Sequence, residues 1–266
     1  MNKIGIIGYG NMGAAIGERV KVAYPVSVFE KDKSKFSGIT GVAFADTITQ
    51  LVAQSDVVIL AVKPQDFETV LNEMRCPLSD KLVISIAAGI TTSYIEKKLS
   101  GVKVVRVMPN LPAKIGKGMI CLCKGRSACD DDLRVAMRIF KYLGTSLLVN
   151  EEEMDAVTAI SGSGPGYLYY YMEQGKDRAF HFATALTSAA VAIGFSESVA
   201  KILAQVTREG SIAYLKEMKL SPEEAKKQVA SKGGTTQAGL DVLANGGSLL
   251  DAVEAAKRRA KELSTQ

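Results

Sequence analysis

Three glycines in "KIGIIGYGNMG", Gly8, Gly10 and Gly13, restrict the fold of this chain more than any other feature. They follow a short β-branched run and open a stretch in which Met12, Ile16 and Val20 fall on one face of a helix. Between a strand and a helix, G-x-G-x-x-G has a physical purpose. One glycine makes the tight turn, one lets a pyrophosphate approach the backbone, and one lets the helix lie close to the strand. The helix N-terminus then faces the ligand's negative charge. Gly8, Gly10, Asn11, Met12 and Gly13 are therefore candidate dinucleotide contacts.

Further on, "VSVFE", "VVILAV", "LVISIA", "VKVVRVM" and "SLLVN" read as strands separated by amphipathic stretches. This β-α-β rhythm predicts a mostly parallel sheet with helices on both faces, and "GMICLCK" is a further strand whose direction the sequence does not assign. Ligands of such sheets bind outside the carboxyl ends of the strands. Ala61, Val62, Lys63 and Pro64 of "AVKPQ" stand there, as do Ala87 and Ala88 of "SIAAG" and Met108 to Asn110 of "RVMPN". Their small side chains leave room for a flat nicotinamide ring.

Glu30 comes 17 residues after Gly13, where an acid accepts from the adenosine ribose hydroxyls and repels a 2′-phosphate. That favours NADH. Lys31, Lys33, Ser34 and Lys35 follow at once, however, and offer cations and a hydroxyl to the same phosphate. The cofactor is thus NADPH or NADH, with a slight lean to NADH.

From Glu151 onward the strand signal stops, and long Ala-, Leu- and Tyr-containing segments are divided by "SGSGPG", "IGFSES", "KLSPEE", "KGGTTQ" and "NGGS". The expected organisation is an α/β Rossmann-type domain over 1–150 and an all-α domain over 151–266. "SPEE" is a helix start with Ser221 as cap and Pro222 at the first position. Leu249, Val253, Ala256, Ala260 and Leu263 form a stripe that needs a partner surface, within the chain or on a second subunit. In "ASKGGTTQAGL", two glycines and two threonines open an apolar turn, which reads either as a plain cap or as an anion site built from unpaired amides.

Bulk properties narrow the field. A net charge of +5 without tryptophan argues against nucleic-acid binding, and no stretch reaches the roughly 18 apolar residues of a membrane span. Cys76, Cys121, Cys123 and Cys129 contain no C-x-x-C pair and no nearby histidine, so no metal is expected. A cytoplasmic location with reduced thiols follows from these readings, and His181 reads as a packing or surface residue.

Taken in order, "GYGNMG", "AVKPQ", "AAGI", "VRVMPNLPAKIGKG", "DAVTAISGSGPGYLYYYME" and "VASKGGTTQAGLDVL" resemble the pyrroline-5-carboxylate reductase family nearly end to end. The resemblance implies a Rossmann-type domain and a helical domain that interlocks with a second subunit, giving a homodimer that can assemble into a larger ring. It implies reduction of 1-pyrroline-5-carboxylate to L-proline. It also implies that the helix opening at "GGTT" receives the substrate carboxylate, so that Gly233, Gly234, Thr235 and Thr236 bind it and Thr236 reaches the ring nitrogen as the catalytic residue. Ser163 and Gly164 would form the facing helix start, with Gln228 at the rim. An iminium carbon accepts hydride without an obligatory general acid, which suits a site poor in ionisable groups.

Three features depart from the family's usual pattern. Lys232 replaces a usual proline, segment 173–194 is longer and more charged, and Asp46, Thr47 and Ile48 stand where an asparagine often holds the adenosine. A β-hydroxyacid dehydrogenase would place Lys and Asn in G-x-G-x-x-x-K-x-x-N, where this chain has Tyr170 and Glu173. Two further readings are a non-catalytic dinucleotide sensor and a reductase of the six-membered homologue. One methylene changes pocket binding by only about 1–3 kcal/mol, so the ring size of the imine stays open.

Overall fold

The structure, a computed structural model, describes residues 2–74, 78, 80–175 and 179–264. Cys76 and residues 176–178 of segment 173–194 lie outside them. Strands β1 (Ile4–Ile7), β2 (Val26–Phe29), β3 (Ala43–Phe44), β4 (Val57–Leu60), β5 (Leu82–Ser85), β6 (Lys103–Pro109), β7 (Gly118–Lys124) and β8 (Gly144–Leu148) form one sheet. Its order is β3-β2-β1-β4-β5-β6-β7-β8, and the pairings from β3 across to β6 are parallel. All residues of β1, β4 and β5 are buried, as strands covered on both faces require, which is why they read as continuous β-branched runs.

Hydrogen bonds also assign the strand whose direction the sequence leaves open. The Gly125 amide, just past β7, donates to the Val104 carbonyl near the start of β6, so β7 runs against β6. Gly118 donates to Leu143 O and Val149 to Leu122 O, so β8 runs with β7.

Compactness divides the chain into two units. The first comprises Met1–Val107, Leu122–Tyr142 and Leu148–Glu151; the second takes Met108–Cys121 and Leu143–Leu147 in addition to Glu152–Gln266. In the first unit, α1 (Asn11–Val20), α2 (Ile48–Gln54), α3 (Phe67–Glu73), α4 (Thr92–Lys98) and α5 (Asp130–Phe140) accompany the strands. Ile7, Leu51, Val52, Val58, Leu60, Phe67, Val83 and Ile95 share one buried cluster. Because β2 and β4 flank β1 on opposite sides, the chain reverses direction across the sheet at the carboxyl end of β1, where a crevice opens in folds of this kind.

The second unit contains α6 (Met154–Val157), α7 (Gly164–Glu173), α8 (Phe182–Ala192), α9 (Glu197–Met218), α10 (Pro222–Val229), α11 (Thr235–Ala244) and α12 (Leu249–Ser264). Ser221 caps α10 as expected, with Pro222 in its first turn, and Glu224 returns a bond to the Ser221 amide to make the cap reciprocal. The stripe of α12 finds its partner within the chain: Leu249, Val253, Ala256 and Ala260 are buried, and α12 packs on α11. Exposed apolar side chains instead occur on α8 and α9, at Val191, Ile202 and Met218. Among the described residues no helix is long and apolar enough to cross a membrane, and no group of three or more metal-ligating side chains gathers.

Candidate active site

The three glycines of the first loop each answer a different demand. Gly8 has φ +94°, and a Cβ there would lie 2.8 Å from both Ala61 O and Val62 Cγ1, so the loop rests directly on the end of β4. A Cβ on Gly13 would lie 2.0 Å from Gly8 O. One on Gly10 would meet nothing within 4 Å, which makes Gly10 the open position through which a ligand can reach the backbone. Helix α1 starts at Asn11 with no side-chain cap, leaving its first amides for a ligand. This cradle fits the pyrophosphate of a nicotinamide dinucleotide. Tyr9 contributes only its backbone to it: the side chain folds onto α1 at Gly17, its hydroxyl 3.4 Å from Glu18, and burial followed by the Glu18 charge pushes its pKa up to about 12.

Glu30, expected as the ribose reader, is buried at the end of β2. Its Oε2 accepts from the Tyr9 amide at 2.8 Å, and its Oε1 accepts from the Asp32 amide at 3.1 Å and meets Lys35 Nζ at 3.1 Å. Burial alone would raise its pKa, but the two amides and the Lys35 ammonium outweigh it and hold the carboxyl below its ordinary range. Lys63 immediately precedes a single 3-10 turn that begins at Pro64, and Ala61 donates its amide to Ile7 O, so "AVKPQ" lies beside the glycine loop as expected.

A buried charge cluster escaped sequence reasoning. Arg106 on β6 is 3% exposed, and its guanidinium lies 3.2 Å from Glu151. The Glu151 carboxylate also accepts from the Thr92 hydroxyl and, at 3.0 Å, from the Thr92 amide at the start of α4, just past the "AAG" loop. Removing one partner of a buried pair leaves the other poorly compensated. Glu151→Ala is expected to lower stability by about 2 kcal/mol, less than for a fully buried pair because Glu151 is partly hydrated. A thermal melt reads the loss, and an unchanged Tm would show that the cluster adds nothing.

Within the second unit, α11 opens as "GGTT" was expected to. Gly233 has φ +71°, Gly234 is the N-cap without a side-chain cap bond, and the helix begins at Thr235. The Thr236 hydroxyl donates to Ser163 Oγ at 3.1 Å, and Ser163 Oγ lies 3.2 Å from Thr235 Oγ1. Three hydroxyls from segments more than seventy positions apart thus meet at one helix N-terminus. Gly166 permits this approach, since a Cβ there would lie 2.6 Å from Thr236 Cγ2. Arg259 on α12 donates to Gly233 O at 2.8 Å and fixes the turn from behind. Lys232, the departure from the family's proline, is exposed.

The "SGSGPG" stretch is less simple than a separator between helices. Thr158–Gly162 forms a π turn in which Ser163 donates to Thr158 O, and Gly164 and Pro165 then start α7. Such wide turns are frequent at functional sites. Asn110 belongs to this unit, and its carboxamide is bonded on both sides there: Nδ2 donates to Ser161 O at 3.1 Å, and Oδ1 accepts from the Met119 amide at 2.9 Å. Its side chain thus ties the π turn to β7. Gln228 accepts from the Tyr214 hydroxyl at 2.7 Å and lies 3.4 Å from Lys114, whose pKa burial lowers. Lys114 gave no sequence signal because its partner is 114 positions away. His181 is exposed and stacks edge-on against Phe180.

A glycine cradle on a parallel sheet, followed by a helical unit that carries a hydroxyl-lined helix N-terminus, defines a two-part dinucleotide-dependent oxidoreductase. The description "Pyrroline-5-carboxylate reductase dimerisation" matches residues 151–263, and "NADP oxidoreductase coenzyme F420-dependent" matches residues 3–89. The chain is 35% identical to the pyrroline-5-carboxylate reductase of Methanosarcina acetivorans, with 98% of this chain and 97% of that protein covered. It is similar to the structure of a pyrroline-5-carboxylate reductase from Coxiella burnetii, at 32% identity and TM-score 0.65 over 100% of this chain and 99% of that one. It is also similar to the Plasmodium falciparum pyrroline carboxylate reductase with NADP bound, at 29% identity and TM-score 0.66 over 99% and 98% of the two chains. The chain belongs to the pyrroline-5-carboxylate reductase family.

Proposed function

We infer that this chain reduces 1-pyrroline-5-carboxylate to L-proline with NADPH or NADH, the last step of proline biosynthesis. The observation that carries the reading is the uncapped start of α11 with its three hydroxyls, in a chain of this family. The amides at Thr235 and Thr236, with Gly233 and Gly234 as the hinge before them, receive the substrate carboxylate through unpaired donors and the positive end of the helix dipole. Thr236 spends its proton on Ser163 and keeps its lone pairs, so its oxygen is arranged to accept from the protonated ring nitrogen of an iminium. Ser163 and Gly164 shape the facing wall, and Gln228, held by Tyr214, closes the rim.

The bound dinucleotide supplies a hydride to the imine carbon. Because the iminium already carries the positive charge, gain of hydride yields a neutral amine and the protein need only hold the carboxylate and orient the ring. Positioning and fixed dipoles of this kind contribute several kcal/mol to a barrier. Gly8, Gly10, Asn11, Met12 and Gly13 would hold the pyrophosphate, with Ala61, Val62, Lys63, Pro64 and Ala88 along the nicotinamide side.

The working form is a cytoplasmic homodimer, which can build a larger ring. The dimerisation description that matches 151–263 supports it. The test is the loss of nicotinamide absorbance with purified protein and 1-pyrroline-5-carboxylate, with the product identified as proline. Turnover is expected with at least one of NADPH and NADH. Absence of turnover with both, in protein that binds cofactor, would redirect the assignment to the six-membered cyclic imine.

A further inference from the structure

The turn that opens α11 contains two glycines in succession, the loosest backbone a chain can offer. Gly234 donates its amide to Ser231 O at 2.9 Å, which closes a four-residue turn with Lys232 and Gly233 in the middle. Gly233 has φ +71° and Lys232 keeps φ negative, the pattern of a type II turn, which favours glycine in its third position and proline in its second. The Gly234 amide is therefore used inside the turn. Ala238 is the first to donate into the helix, to Gly234 O at 3.2 Å, so the amides left for a ligand are those of Thr235, Thr236 and Gln237.

One side chain grips this turn from another helix. Arg259 stands on α12 beside buried Ala256 and Ala260, and α12 packs on α11. Its Nε donates to Gly233 O at 2.8 Å, and its Nη1 meets Glu262 at 2.8 Å. Gly233 O and the Gly234 N–H belong to one peptide unit, so that planar unit is held on both edges, by Arg259 and by Ser231. A Cβ on Gly233 would find Arg259 Nη2 at 3.9 Å and, its chain neighbours aside, nothing else within 4 Å. The plane so fixed leads directly into Thr235, and its orientation sets where the first free amide points.

We propose that Arg259 is a positioning residue of the carboxylate site: it locks the Gly233–Gly234 peptide so that the amides of Thr235, Thr236 and Gln237 already face the substrate carboxylate before it arrives. Donors fixed in advance bind without the cost of ordering a two-glycine hinge. Arg259 acts through that peptide and not as a counter-ion, because Glu262 neutralises its charge. This rests on the reductase reading and names the group that holds its anion site in shape.

Steady-state kinetics of the full chain test it, with 1-pyrroline-5-carboxylate and with 1-pyrroline, the same ring without the carboxylate. Arg259→Met keeps the apolar stem of the side chain. It is expected to raise KM for 1-pyrroline-5-carboxylate at least about tenfold, to leave kcat within about threefold, and to leave kcat/KM for 1-pyrroline within about twofold. Adding Lys232→Pro fixes φ at the second turn position and removes an amide that donates to nothing among the described residues, so it is expected to lower the raised KM at least about threefold. An unchanged KM, or equal losses for the two imines, overturns the proposal. A raised KM that the proline leaves untouched also overturns it and makes Arg259 a counter-ion. The reductase reading stands in all three cases and falls only if the wild-type chain reduces no 1-pyrroline-5-carboxylate.

Discussion

Gly13→Val is expected to abolish dinucleotide binding and to lower the melting temperature, whereas Gly10→Ala is expected to abolish tight binding with the melting temperature unchanged. The two glycines stand three positions apart in one loop, and the difference comes from what a side chain would meet. At Gly13 the first added carbon falls 2.0 Å from Gly8 O and 3.2 Å from Ala61 Cβ. The first of these is backbone on a tight turn, so relief requires moving α1 off the end of β1. At Gly10 the same carbon meets nothing within 4 Å of protein. The apo fold accepts it, and the cost appears only when a pyrophosphate approaches the amides that the methyl now covers. Losses of at least about a hundredfold in Kd are expected for both variants, comparable with removing several charge-assisted hydrogen bonds. Cofactor titration beside a thermal melt separates the cases. Native affinity in Gly13→Val would show that the loop is a structural turn and not a ligand cradle.

How much of this was legible beforehand depends on the sequence distance between partners. Strands β1, β4 and β5 could be read because burial on both faces leaves a local signature, a run of β-branched residues ending in a turn. The glycine loop was legible for the same reason: its three constraints lie within six positions. Arg106 sits inside a strand that reads as apolar, and nothing near it announces that Glu151, 45 positions on, compensates its charge. Glu30 was read correctly as an acid at the end of β2, but its attachment to the Tyr9 amide comes from the fold and not from any spacing. The same holds for the π turn, where "SGSG" suggests flexible punctuation and the Asn110 side chain that bonds Ser161 O lies 51 positions away. In the helical unit the periodicity of α12 was clear, yet whether its stripe faced this chain or another could not be read, because a helical period specifies a face and not a neighbour. For the hydroxyls on α11, local sequence supplied only a cap or an anion site; the resemblance to a family supplied the substrate.

Thr236→Val is the sharper test of that site, because it removes one oxygen and keeps the shape. Valine fills the same volume, and the start of α11 retains its amides, so the carboxylate contacts and the fold should persist. Ser163 keeps Thr235 as a partner at 3.2 Å, which limits the stability cost to about 1 kcal/mol. What disappears is the oxygen proposed to accept from the ring nitrogen. If that oxygen orients the iminium for hydride transfer, kcat falls by about ten- to a hundredfold, within the range seen when one fixed polar group is taken from a reacting centre. If the amides of α11 hold the carboxylate as proposed, the KM for the imine should change little, and cofactor Kd should not change at all. A rise in KM with kcat preserved would make Thr236 a binding residue only. Should both constants stay at wild-type values, the hydroxyl has no part in the reaction, and the amides of α11 alone would have to position the ring.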